Sequence, residues 1–154
     1  MTCLPASPPE QSSCLNEAAA SKSAAAEEMT RAIESLSIPR VLPADRVLFR
    51  DGDRPEHLYL LEKGQVIFTI NSFGQQVPCF IVEAGSLIGL SATFADAPFV
   101  LTSTASPDAE VREIASGAFI KLIEGHAEWY LCIIRLLAEE THRAQQALAE
   151  RLGG

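Results

Sequence analysis

The spacing of apolar positions divides this chain into a strand-like centre and helix-like flanks. Between Val41 and Ile114, short runs rich in Val, Ile, Leu, Phe and Thr alternate with polar breaks, a composition suited to half-buried extended backbone. The breaks are Asp51-Gly52-Asp53, Lys63-Gly64, Phe73-Gly74, Ala84-Gly85 and Ser106-Pro107-Asp108, turn-forming clusters that recur at intervals of roughly ten residues. Short strands on that spacing predict an all-β meander or roll over residues 38–115.

The flanks carry a different period. Upstream, Met29, Ala32, Ile33 and Leu36 recur at helical spacing, with Glu27 and Glu28 near the end where a helix dipole favours them. They predict a short helix from Ala26, bounded by Pro39. After Gly117, the group Phe119, Ile120, Leu122 and Ile123 turns helical, and no Pro or Gly interrupts the stretch from Ala127 to Leu152. Ala127, Tyr130, Ile134, Leu137, Thr141, Ala144 and Leu148 follow a 3,4 spacing that makes a packing seam. Trp129, Ile133 and Leu136 lie on a neighbouring face and would pack on the roll in a monomer. Residues 1–25, dominated by Ala, Ser, Pro and Glu, bury too little apolar surface to offset ordering entropy and are expected to be a tail. The domain is expected over residues 26–152, with its closing helices over 117–152.

Composition narrows the function classes. With 47% hydrophobic residues, a chain of 154 residues can fill one core of ordinary size. A formal charge of −8 disfavours phosphate backbones and anionic membrane surfaces, so neither nucleic acid nor membrane is expected as a direct partner. No apolar run suits a bilayer span or a secretion signal, and a cytoplasmic location is expected. Cys3, Cys14, Cys79 and Cys132 form no C-x-x-C pair and read as reduced thiols; their number alone would suit an iron–sulfur cluster. His57, His126 and His142 fall at element boundaries or on an outer helix face and read as solvated. Glu139 and Glu140, being adjacent, do not face each other on a helix, and no Ser/His/Asp constellation is present, so no enzyme is expected.

Three segments then carry a resemblance. Arg46-Val47-Leu48-Phe49-Arg50-Asp51-Gly52-Asp53 is an apolar strand followed by a Gly-Asp turn. His57-Leu58-Tyr59-Leu60-Leu61-Glu62-Lys63-Gly64-Gln65-Val66 is a strand, a hairpin glycine and a return strand. Gly85-Ser86-Leu87-Ile88-Gly89 enters what would be a phosphate-binding cassette, and two helices follow from Gly117. In this order the chain resembles the cyclic nucleotide-binding domain of the catabolite-activator and fumarate/nitrate-reductase regulator family. The resemblance implies a double-stranded β-helix of jelly-roll type between a short N-terminal and a long C-terminal helix. It also implies a homodimer through that long helix, here Tyr130, Ile134, Leu137, Thr141, Ala144 and Leu148. The family's helix-turn-helix reader of DNA would lie beyond Gly154 and is not expected to act here.

The cassette departs from the family pattern. A cyclic phosphate is held by backbone N–H groups at a helix start, by a glutamate on the ribose, and by an arginine about ten positions later that pairs with the phosphate. The chain reads Gly89-Leu90-Ser91-Ala92 and later Val100-Leu101, so Leu90 stands at the glutamate position and Val100 at the arginine position. These six are the expected ligand-binding positions. Cyclic-nucleotide binding is expected to be lost or altered. The leading reading is a regulatory sensor or dimerisation module with no resident cofactor. The alternatives are a scaffold for protein partners whose apolar pocket has collapsed, and a sensor of an apolar or haem-type ligand.

Overall fold

The computed structural model describes residues 24–153. A helix over residues 24–36, α1, precedes eight strands: β1 (Ile38–Arg40), β2 (Val47–Phe49), β3 (His57–Lys63), β4 (Gln65–Ser72), β5 (Gln75–Glu83), β6 (Leu87–Ile88), β7 (Thr102–Ala105) and β8 (Glu110–Ala115). A short helix, α2 (Leu90–Ala95), separates β6 from β7. After β8 come α3 (Ser116–Glu124), a 3-10 turn over Ala127–Trp129, and the long α4 (Tyr130–Gly153). The strands form two antiparallel four-stranded sheets, ordered β1-β8-β3-β6 and β2-β7-β4-β5, which is the expected roll between helices. Of the expected tail, residues 1–23 lie outside the described residues, and Ala24 and Ala25 already belong to α1.

Strand alternation sets the layers. On β3, Tyr59 and Leu61 point between the sheets, joining Phe49, Val66, Phe68, Val82 and Val111 in one core. Leu58 and Leu60 point the other way, joining Ile114 of β8 with Met29, Ile33, Phe119, Ile123, Trp129 and Ile133 from the helices. One sheet is thus buried on both faces, which explains why His57–Lys63 reads as a continuous apolar run rather than as strict alternation. At the β4–β5 hairpin, Phe73 and Gly74 both take positive φ (52° and 81°) in a two-residue loop whose twist matches the strands it joins. Asn71 Oδ1 accepts from the Gly74 N–H at 3.1 Å. Pro78 lies on the edge strand β5 where the β4–β5 register shifts, a position where a missing ladder donor is tolerated.

The end of α1 differs from expectation. Pro39 lies inside β1, and the helix stops earlier, after Leu36. Ser37 supplies the stop: its hydroxyl donates to Glu34 O at 2.7 Å and accepts from Arg112 Nε at 2.7 Å. That exchange ties α1 to β8 across the sheet.

Candidate functional site

A cavity of about 390 Å³ opens between the sheets at the end where β6 is only two residues long. Its wall runs from Phe49, Phe68, Phe80 and Val82 on the strands through Leu87 to Leu101 around α2, and then to Glu140, Thr141, Arg143 and Ala144 on α4. The aromatic walls are ordered, with Phe49 and Phe99 stacked at 3.6 Å between centroids and Phe68 and Phe80 at 4.8 Å. The volume lies in the range of small-molecule pockets. The apolar cassette thus borders open space in this structure.

Backbone bonds hold the cassette in place. Gly52 N–H donates to Phe99 O at 2.8 Å and Phe99 N–H donates to Asp53 O at 2.9 Å, pinning the loop after α2 to the β2–β3 turn. Gly89 takes φ 98° at the start of α2. A Cβ there would sit 3.4 Å from the Phe99 ring and 3.5 Å from Leu58 Cβ, which are ordinary contacts, so it is the backbone conformation that favours glycine.

The six expected ligand positions separate. Gly89, Ser91, Ala92, Val100 and Leu101 line the cavity. Leu90 does not: it is 1% exposed and packs with Leu58, Ile114 and Phe119 beneath the helices. Its placement follows from helix geometry, because the residue that opens α2 turns toward the core while the next one faces the opening. Val100 is 75% exposed at the rim. No cation stands at the cassette itself, and the two charged residues in the wall, Glu140 and Arg143, come from α4.

The α4 seam also divides. Tyr130, Ile134 and Leu148 are exposed, as is Leu131 beside them. Leu137 turns inward against the helix-side core. Thr141 and Ala144 face the cavity. Trp129 and Ile133 are buried on the roll, with Leu136 packed against the same cluster, so the helix uses one face for the roll while leaving another free. Ser91 of α2 donates a short hydrogen bond to Glu140, tying the cassette helix to α4.

A haem does not fit this wall, which offers no His, Cys or Met. His57 begins β3 and His142 is exposed on α4. His126 is not simply solvated: its ring stacks on Trp129 at 3.8 Å, and its Nδ1 lies 2.9 Å from Leu122 O. Cys79 and Cys132 are free thiols on β5 and α4, and Cys3 and Cys14 lie outside the described residues. Among the described residues no cluster of His, Cys, Asp or Glu is arranged to hold a metal ion, and no helix is long and apolar enough to cross a membrane. Sequence reasoning missed Glu140 and Arg143 because it treated α4 as an interface alone.

Comparison with known proteins places this architecture. The cyclic nucleotide-binding domain model matches residues 39–126, more than half of the chain, and the chain belongs to that family. No curated protein matches significantly. Similar solved structures include the Thermus thermophilus catabolite activator protein (TM-score 0.64, 20% identity), which the match covers over 82% of this chain and 58% of that one. The c-di-GMP-responsive regulator CLP of Xanthomonas campestris matches at TM-score 0.72 and 15% identity, over 82% of this chain and 63% of that one. The sensor domain of the regulator DNR from Pseudomonas aeruginosa matches at TM-score 0.59 and 21% identity, over 77% and 78%. The family match and the shared fold together define the chain as a domain of cyclic-nucleotide-binding type. The chain spans 58% of the length of the Thermus catabolite activator protein chain.

Proposed function

We propose that this domain is a sensor in which the pocket has exchanged cyclic-nucleotide recognition for an apolar ligand, with α4 carrying the signal to a second copy. One observation carries the reading: the cavity stays open, yet Val100 stands at its rim where the resemblance places an arginine, and Leu90 is withdrawn into the core. A charge-assisted hydrogen bond contributes about 1.5–3 kcal/mol. Without both contacts, affinity for a cyclic nucleotide falls by roughly two to four powers of ten, at about 1.4 kcal/mol per decade.

The same helix supports the output. Thr141 and Ala144 wall the cavity while Tyr130, Leu131 and Ile134 remain exposed about two to four turns earlier. A contiguous apolar strip of this kind suits a homodimer seam, as the family resemblance implies. Ligand that shifts α4 at Thr141 would move the strip at Ile134 with it, because one helix carries both.

Thermal unfolding with cyclic AMP and cyclic GMP tests the pocket. A ligand at 100 times its dissociation constant should stabilise by about 2.7 kcal/mol. Neither nucleotide is expected to raise the melting temperature at micromolar concentration, and a rise with either would overturn the exchange of specificity. Light scattering tests the seam: the wild type should be dimeric and Ile134→Glu monomeric, whereas a monomeric wild type would refute the proposed output.

A further inference from the structure

Within the cavity wall, charged side chains come from one turn of α4, and the side-chain hydroxyls are those of Thr141 on that turn and Ser91 on α2. Glu140 is engaged by the Ser91 hydroxyl. Arg143, three residues on and half-buried, makes no ion pair or hydrogen bond among the described residues. The Thr141 hydroxyl between them is likewise without a partner among the described residues. A guanidinium and a hydroxyl with free donors thus stand at the mouth of a pocket otherwise walled by Phe49, Phe68, Phe80, Phe99 and aliphatic side chains.

We infer that, granted the sensor reading on which this rests, the pocket takes an amphipathic monocarboxylate. Its alkyl or aryl body occupies the space between the sheets, and its carboxylate meets Arg143 and Thr141 at the mouth. Three considerations select that class. A planar guanidinium matches a carboxylate with two parallel hydrogen bonds, whereas a neutral apolar molecule would leave those donors unused. A cationic ligand would be repelled by Arg143. A phosphate with more than one negative charge would bring a second charge that no further cation in the wall offsets, with Glu140 on the same turn as Arg143.

Calorimetry on the full chain with matched probes tests this. Decanoate is compared with 1-decanol, and 2-naphthoate with 2-naphthylmethanol, so that each pair shares a body and differs in charge. Each acid that binds should do so about tenfold to hundredfold more tightly than its alcohol, the factor set by one charge-assisted contact. The decanoate and naphthoate arms separate an alkyl from an aryl body. Arg143→Met should erase the difference within each pair. Ala144→Trp, which fills the mouth, should abolish binding of acids and alcohols together.

Equal affinity for acid and alcohol, or a preference that survives Arg143→Met, would overturn the carboxylate assignment and leave the apolar-pocket reading standing. Acid binding that survives Ala144→Trp would place the contact outside the cavity and also overturn it. If no acid and no alcohol binds the wild type, the carboxylate assignment and the sensor reading fall together.

Discussion

The two sides of the β1-β8-β3-β6 sheet are built from the same kinds of side chain and end in opposite states. On the helix side, Leu58, Ile114 and Phe119 are each 0% exposed, and α1, α3 and α4 close over them. On the other side, Phe49, Phe68 and Phe99 are also buried, yet the space beside them stays open. The difference is one of coverage. Helices of nine or more residues supply enough apolar surface to fill the first side. On the second, β6 contributes two residues and α2 six, and the loop that follows crosses the gap without filling it. A packed core and a ligand pocket therefore differ here in the length of the elements that end the sheet rather than in hydrophobicity.

Mutations should separate the two sides, most strongly where packing is complete. Phe119→Ala removes a fully buried ring from the helix side and is expected to cost about 3–5 kcal/mol in urea unfolding. Phe80→Ala, at a half-buried ring bordering space that is already empty, should cost well under half of that. A comparable loss for the two would mean that the cavity closes in solution.

The two glycines give the next contrast. Gly64 takes φ 82°, and a Cβ there would lie 2.7 Å from Ala109 Cα and 2.9 Å from Ala109 N, so backbone has to move. Gly64→Ala is expected to cost about 3 kcal/mol, combining left-handed strain with the clash. Gly89→Ala meets only ordinary contacts at 3.4–3.6 Å and should cost about 1–2 kcal/mol. Thermal unfolding of the pair checks the order. Added volume gives a further contrast: Ala105→Leu overpacks the filled part of the core between the sheets and should destabilise by about 1–3 kcal/mol. Ala92→Leu enters the cavity and should stabilise by about 0.5–1 kcal/mol.

The closed side was the more legible in sequence. Turn clusters such as Phe73-Gly74 and Ser106-Pro107-Asp108 mark chain reversals by local chemistry, and the 3,4 spacing of α4 is a local pattern too. Met29 and Ile33 were readable as a core face for the same reason. The pocket was less so, because an apolar segment such as Leu87–Leu101 reads identically whether its side chains meet one another or face a void. Which of Leu90 and Ser91 looks into the opening depends on how α2 is docked by Gly89 and Phe99, and that is set by distant backbone bonds from Gly52 and Asp53. Arg143 escaped notice because its role depends on which face of α4 lies over β5, a tertiary fact that no local spacing carries.

The smallest effect concerns acid, and it also falls on turns rather than on the pocket. Asp108 is held below the ordinary aspartate value chiefly by the hydrogen bond that Ser106 Oγ donates at 2.8 Å, helped by its own backbone N–H. Asp45 is held low first by the Val47 N–H and further by the Arg50 guanidinium. For a carboxyl whose pKa is lower folded than unfolded, the stabilisation is complete above the unfolded value. It is lost as pH falls through the folded one, because the unfolded chain takes up the proton first. The loss should therefore begin near pH 4, where an unfolded aspartate titrates at about 3.9, and continue below it. Ser106→Ala and Asp108→Asn should each flatten this acid limb in urea titrations, since one removes the donor and the other the charge. Both carboxyls are exposed, so the change should be small. Ala92→Leu should leave the acid limb as in the wild type, because it alters the cavity without touching either turn. A flattened limb in Ala92→Leu would show that protonation reaches the pocket, and the separation between the two sides of the sheet would then fail.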